Sequence, residues 1–305
     1  MFKTMSILKQ ALLFLASAFF SISAAAQGNS NLSSDPYHHW DGVTHWTKYQ
    51  IVSAGHFGPN ALPVPEIRKG RIDSTIDLEI KAVNAYNKRD NTPSIAGRLY
   101  FPVVKDKIAI ELYGTIAEYF DMDSTLRFER RTFMMEGKGT TFGDLNVGTV
   151  VNIIKDQPKM PDIALAMTFK TTSGKMLKSA RYTDAPGYFF DVSFGKKIVK
   201  KNYSIRLYAL TGFYVWQTNI DNNPQDDAFL YGVGADLNLR KFLFSTSWGG
   251  YLGYVNNGDQ PMVYRASVVK KGGGIDAKFS YQYGLHDYNY QTFSLSAIWH
   301  LKTLK

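Results

Sequence analysis

The sequence predicts an all-β protein, a transmembrane antiparallel up-and-down β-barrel of about 12 strands behind a Pro-containing N-terminal extension. Three observations carry this. First, Tyr290 to Leu301, YQTFSLSAIWHL, sets Phe293, Leu295, Ala297, Trp299 and Leu301 on one face. Thr292, Ser294, Ser296, Ile298 and His300 take the other, the period-two mark of a strand between two environments. Second, this design recurs back to Ser74, in segments long enough for the roughly 9–11 residues that a tilted strand needs to cross a bilayer. Third, the connections alternate between short and long, as in a barrel with both termini on one side.

The chain begins with the pattern of a secretory signal. Lys3 and Lys9 precede the apolar run from Ala11 through Phe20, and Ala24-Ala25-Ala26 offers a small-residue cleavage site, so residues 1–26 read as a signal peptide. Residues 27–73 lack the alternation of the strand region. Pro59, Pro63 and Pro65 forbid a regular central strand there, and two positions stay open for this extension: the periplasm, or a plug inside the barrel.

Residues 74–305 form the barrel. Ile76, Leu78 and Ile80 alternate with Asp77, Glu79 and Lys81, and a turn comes next at Arg89 to Pro93. Further strands lie near 95–101 and 108–116. A long polar stretch at 120–141 leads to strands near 145–153 and 163–169. After a loop at 172–187 come strands near 188–194 and 203–215, then a loop at 218–227 holding DNNPQDD. Four more strands, near 229–239, 242–254, 262–268 and 275–285, lead to the last. A soluble sandwich also alternates. Strand length, unequal connections and aromatics such as Tyr188, Tyr203, Tyr264 and Trp299 near the ends of the apolar faces favour the membrane barrel. Closure satisfies every backbone group in lipid.

Composition narrows the function. Without Cys there is no disulfide, thiolate nucleophile or Cys-based metal site. The slightly negative mean hydropathy argues against a helical multi-span protein. The formal charge of +9 suits a solvated basic surface or membrane phosphates. An exported chain is a poor fit to nucleic acid.

The signal, the strands and the final Phe-x-Leu-x-Ala-x-Trp-x-Leu alternation resemble Gram-negative outer-membrane porin-like barrels. The likeness covers about residues 74–301 and is one of pattern. It implies an outer-membrane location among lipids that include lipopolysaccharide, insertion by the barrel assembly machinery, and passage of a small polar solute. Many such barrels end on an aromatic residue; this chain continues through Lys302-Thr303-Leu304-Lys305, which displaces that signal.

The polar strand faces predict a lumen lined by Asp77, Glu79, Lys81, Arg98, Glu111, Asp144, Asp191, Arg206, Asp236, Arg265, Asp276 and Lys278. These charges make either a polar solute pathway or a salt-bridge network that fills the barrel. Arg98, Arg206 and Arg265 suit an anionic or hydroxylated solute, because a guanidinium pairs bidentately. The leading expectation is therefore a passive diffusion channel, not an enzyme and without cofactor. The alternative is a closed structural or interaction barrel with functional external loops, and a lipid-active outer-membrane enzyme ranks third. Phospholipase barrels carry a His followed closely by Ser; His286-Asp287-Tyr288-Asn289 lacks the Ser, and His300 reads as structural. His38, His39, His45 and His56 with Asp35 and Asp41 match no compact metal spacing. Asp221, Asp226 and Asp227 lack the spacing of a calcium loop. No metal site is expected.

Overall fold

The computed structural model describes residue 41, residues 43–134 and residues 136–304. Its thirteen strands are, in order, β1 (Thr75–Asn87), β2 (Asp90–Val104), β3 (Ile108–Met122), β4 (Lys138–Thr141), β5 (Leu145–Ile154), β6 (Asp162–Lys170), β7 (Gly187–Val199), β8 (Ser204–Ile220), β9 (Asn223–Leu239), β10 (Phe242–Leu252), β11 (Met262–Lys270), β12 (Ile275–His286) and β13 (Gln291–Thr303). Each pairs antiparallel with its neighbours, and β1 meets β13 from Thr75↔Thr303 to Tyr86↔Gln291. That seam closes a ring of twelve strands, with β4 as an extra piece.

The ring has two ends. At the terminal end β1 begins and β13 finishes; at the loop end lie the connections after β1, β3, β6, β8, β10 and β12. β4 belongs to the loop end. It pairs with β3 from Glu118↔Thr141 to Asp121↔Lys138, beyond the point where β5 takes over at Gly114↔Leu145. The chain passes so close at this break that a Cβ on Gly114 would lie 2.5 Å from the Asp144 carbonyl. The connection before β4 also folds a short helix, α1 (Ser124–Glu129), whose Asp123 cap accepts the Leu126 amide at 2.7 Å. The polar stretch expected as a loop at 120–141 is thus largely ordered secondary structure.

Two other connections differ from expectation. The loop at 218–227 shrinks to a turn at Asp221 and Asn222 because β8 and β9 zip to Ile220↔Asn223. The first turn lies at Lys88 and Arg89, and Pro93 sits within β2 opposite Asn84.

The outward face is apolar from strand to strand, with exposed Leu207, Phe213, Val233, Phe279 and Leu295. A continuous exposed belt of this kind is unsuited to water and suited to hydrocarbon. The inward face is filled by the chain's own N-terminal segment. Residues 45–58 lie across the loop end, where Trp46 stacks on Phe133 with ring centroids 4.9 Å apart. There Gly55 donates its amide to the Gly258 carbonyl at 2.8 Å, and Gln50 donates to the Leu177 carbonyl at 2.8 Å. Residues 59–74 then descend the lumen. The Tyr251 hydroxyl donates to the Leu62 carbonyl at 2.7 Å near the loop end, and the Ser74 hydroxyl reaches Asp106 at 2.7 Å at the terminal end. Pro59, Pro63 and Pro65 suit this extended path, which makes no ladder.

Candidate functional site

The lumen has two unlike walls. On β6, alternate residues Asp162, Ala164, Ala166, Thr168 and Lys170 are all buried, and on β7 the same holds for Gly187, Phe189, Asp191, Ser193 and Gly195. The threaded segment presses on this side. A Cβ on Gly195 would sit 2.1 Å from the Lys69 carbonyl. Gly70 has φ +71° and its own Cβ would strike the Gly195 amide nitrogen at 2.5 Å, so both the backbone shape and the close approach call for glycine.

Ionic contacts lock the segment to that wall. Arg68 pairs with Asp191, lies 3.8 Å from Glu111 and donates to the Thr168 hydroxyl at 3.1 Å. Lys69 meets Asp236 at 2.6 Å and stands over the Tyr208 ring. Arg206 is held by Asp162 at 2.6 Å and donates to the Lys69 carbonyl at 2.7 Å. A buried guanidinium needs such partners, since an uncompensated interior charge is strongly destabilising.

Toward the loop end the packing turns apolar. Val52, Phe57, Ala61 and Leu62 of the threaded segment pack with Phe189, Tyr214, Trp216, Tyr251, Tyr288 and Tyr290 of the strands. Tyr214 lies edge-on to Trp216 and to Tyr251, with centroids 5.2 and 5.1 Å apart. Above this core, fully buried Arg181 bonds Asp90 at 2.7 Å, Glu118 at 2.7 Å and the Thr92 hydroxyl at 2.9 Å. Arg130 adds a second bond to Asp90 at 2.9 Å, and Asn60 of the segment donates to Glu118 at 2.7 Å. The core and this network seal the loop end.

The opposite wall, made by β11, β12, β13, β1 and β2, is only partly covered. None of Asp276, Lys278, Ser280 or Gln282 on β12 is fully buried. Although it lies inside the ring, the Glu66 side chain is 63% exposed and that of Arg98 35%, against 0% for Asp191. Solvent therefore runs along this side. The segment touches it at few points: Lys81 meets Glu66 at 3.1 Å, and Arg265 donates to the Pro65 and Val64 carbonyls at 3.0 and 2.5 Å. Toward the terminal end His300 lies between Asp77 at 2.7 Å and Asp276 at 3.2 Å, across β13, β1 and β12.

All twelve charges expected in the lumen have partners inside the ring. Asp77 and Asp276 hold His300, and Glu79 lies near Lys81 and Lys278. Arg98 contacts Glu111 at 3.3 Å, Asp144 pairs with Lys170 at 2.8 Å, and Asp191, Arg206, Asp236 and Arg265 meet the threaded segment. Of the three arginines expected to face a solute, Arg206 and Arg265 are committed to carbonyls of the segment, and the Arg98 side chain stays 35% exposed. The inward aromatic core was not among the expected site residues. Its signal was present in β8, where Tyr208, Leu210, Tyr214 and Trp216 are apolar on the face opposite Leu207 and Phe213.

The other candidates fall elsewhere. His38, His39 and Asp35 lie outside the described residues. The His45 ring contacts the Thr47 hydroxyl at 2.8 Å and the His56 ring contacts the Ser53 hydroxyl at 3.0 Å, while Asp41 accepts the Val43 and Thr44 amides. Among the described residues no three acidic or imidazole groups converge as a metal would require. Asp221 pairs with Lys48, Asp226 is buried and Asp227 accepts from Gln225, so the DNNPQDD carboxylates diverge. His286 contacts the Gln260 carbonyl at 3.0 Å and Asp287 at 3.3 Å.

No family model matches the chain, and no curated protein matches it by sequence. Among solved structures it is similar to an outer-membrane channel from Pseudomonas putida F1, with a TM-score of 0.53 at 8% identity over 75% of this chain and 96% of that one. The NanC porin aligns with a TM-score of 0.44 at 9% identity, over 73% of this chain and 100% of that one. LpxR from Salmonella typhimurium aligns with a TM-score of 0.47 at 8% identity, over 74% and 100%. At such identities the first likeness is one of fold, the closed membrane-type barrel.

Proposed function

We propose that the protein is an outer-membrane channel for small polar solutes whose path runs along one wall of the lumen and is shut, in the described state, at the loop end. The loop end faces the cell exterior in this reading and the terminal end faces the periplasm, the arrangement usual for barrels with short turns beside the termini. The observation that carries it is the solvent-reached strip of Arg98, Lys81, Lys278 and Gln282 beside a segment that packs tightly only on the other side. A rigid filler with a structural role alone has no reason to leave a charged strip wet. A mixed-charge strip is what orients a polar solute.

A second reading, a closed barrel that works through its external surface, is favoured by the seal of Arg181, Asp90, Glu118 and Arg130. Single-channel conductance in planar bilayers separates the two. Intact protein gives no steps or rare brief ones, and a chain lacking residues 43–58 gives frequent discrete steps. A folded, inserted deletion variant that stays silent rejects the channel. Large steady steps from the intact chain reject the seal.

A further inference from the structure

One spot on the wet wall is unfinished. Lys81 of β1 and Lys278 of β12 both stand in register with Ser296 of β13. The three residues form a row across adjacent strands, each about 4.8 Å from the next. Their side chains share the inward face. Ser296 is 8% exposed, and its hydroxyl oxygen has no hydrogen-bond partner. The Glu79 Oε1 atom lies 3.9 Å from the Lys81 ammonium and 3.8 Å from that of Lys278, loose ion pairs beyond hydrogen-bond reach, and likewise has no hydrogen-bond partner. Buried polar atoms normally find a partner, so an orphan hydroxyl in register with two lysines marks a place for a visiting acceptor.

The charge around it fixes the class of visitor. Lys81, Lys278, Arg98 and Arg265 stand near the row with Glu66 and Glu79, while Asp77 and Asp276 are engaged with His300 toward the terminal end and Glu111 is shared between Arg98 and Arg68 at the edge of the packed wall. Two ammonium donors and a hydroxyl donor, set in one row across β1, β13 and β12, match the lone pairs of an oxyanion.

We infer that Lys81, Ser296 and Lys278 form a binding site for the carboxylate or phosphate group of a small solute. The solute enters along the wet wall, its oxyanion accepts from both ammonium groups and from the Ser296 hydroxyl, and Glu79 limits the dwell time by repulsion. Such a site holds the solute weakly enough to release it, as conduction requires. The inference names the class of solute for the channel proposed above and rests on that reading for the solute's passage, not for its binding.

The test is calorimetric titration of the intact, folded protein in detergent micelles with inorganic phosphate at low chloride. Saturable binding is expected, weakened at least ten-fold in Lys278→Gln and a few-fold in Ser296→Ala, with acetate competing and glycerol without effect. Lys81→Gln also removes the Glu66 contact and can disturb folding. Lys278→Gln is the safer variant, because the nearest carboxylate lies at 3.8 Å. No saturable heat from the intact protein, or equal affinity in Lys278→Gln, overturns the site. Phosphate binding by a protein that never conducts, even without residues 43–58, keeps the site and rejects the channel. Conductance without phosphate binding does the reverse.

Discussion

The two walls of one lumen obey different rules. Along β6 and β7 the inward side chains are small or paired, the threaded segment lies against them, and water is excluded. Along β12, β13 and β1 most inward side chains are polar and loosely paired, and most of them, Glu79, Ala85 and Ser296 apart, keep contact with solvent. The same residue types stand on both sides, so burial by the segment, not sequence composition, sets what each charge does. On the packed wall the Asp191 side chain is shut away from solvent; on the other wall the Glu66 side chain stays 63% exposed.

Substitution should expose that difference. On the packed wall, Asp191→Ala leaves Arg68 with Glu111 at 3.8 Å as its remaining carboxylate, and a loss of about 3–5 kcal/mol is expected in denaturant unfolding. Trp216→Ala opens a void against Tyr214 and Tyr251 in the loop-end core, with a loss of about 3–5 kcal/mol. On the wet wall, Lys278→Gln should leave stability within about 0.5 kcal/mol of the parent. Equal losses on both walls would dissolve the distinction.

The seal responds to acid by a smaller amount. Burial, then the neighbouring Arg130 and Arg131 charges, lower the pKa of His56, with Asp287 and the Asn257 carbonyl acting the other way. Ser53 and Gly258 complete its surroundings. Because the folded pKa lies below the ordinary imidazole value of about 6.5, the unfolded state binds the extra proton first. The contribution of His56 is full above that value and is lost as pH falls through it toward the folded pKa. The melting temperature should therefore be lower at pH 5 than at pH 8, and His56→Asn should narrow the gap. An unchanged gap assigns the pH response to other groups.

The smallest perturbation tests direction. Val43 is 90% exposed, and the chain has no native cysteine. Val43→Cys should react with a membrane-impermeant maleimide on whole cells and leave stability unchanged. Labelling only after the outer membrane is opened would invert the assignment of the two ends.

Much of this was legible in the sequence. Alternation located every strand of the ring, because a strand has one bit of information per residue and the chain uses it consistently. The path of residues 45–74 was not legible. Pro59, Pro63 and Pro65 remove regular structure and with it any period, and contacts such as Arg68 with Asp191 join residues 123 apart. The length of the β8–β9 hairpin was hidden too, since Asp221 to Asp227 carries turn residues that the ladder nevertheless absorbs. The apolar inward face of β8 was the missed clue, for a lumen wall of Tyr214 and Trp216 needs something dry to lie against.

The threaded segment also constrains the order of events during biogenesis. Residues 59–74 are enclosed by a ring whose first and last strands, β1 and β13, zip together over twelve paired positions. The segment runs directly into β1 at the terminal end, while its other end emerges at the loop end. A ring already shut could receive it only by reeling the free end through the whole bore, past every ion pair described. A sheet still open at that seam can instead curl around a strand-like guest already laid along β6 and β7. On that route the last hydrogen bonds to form are those of the β1–β13 junction, and the guest acts as the mandrel on which the cylinder is rolled.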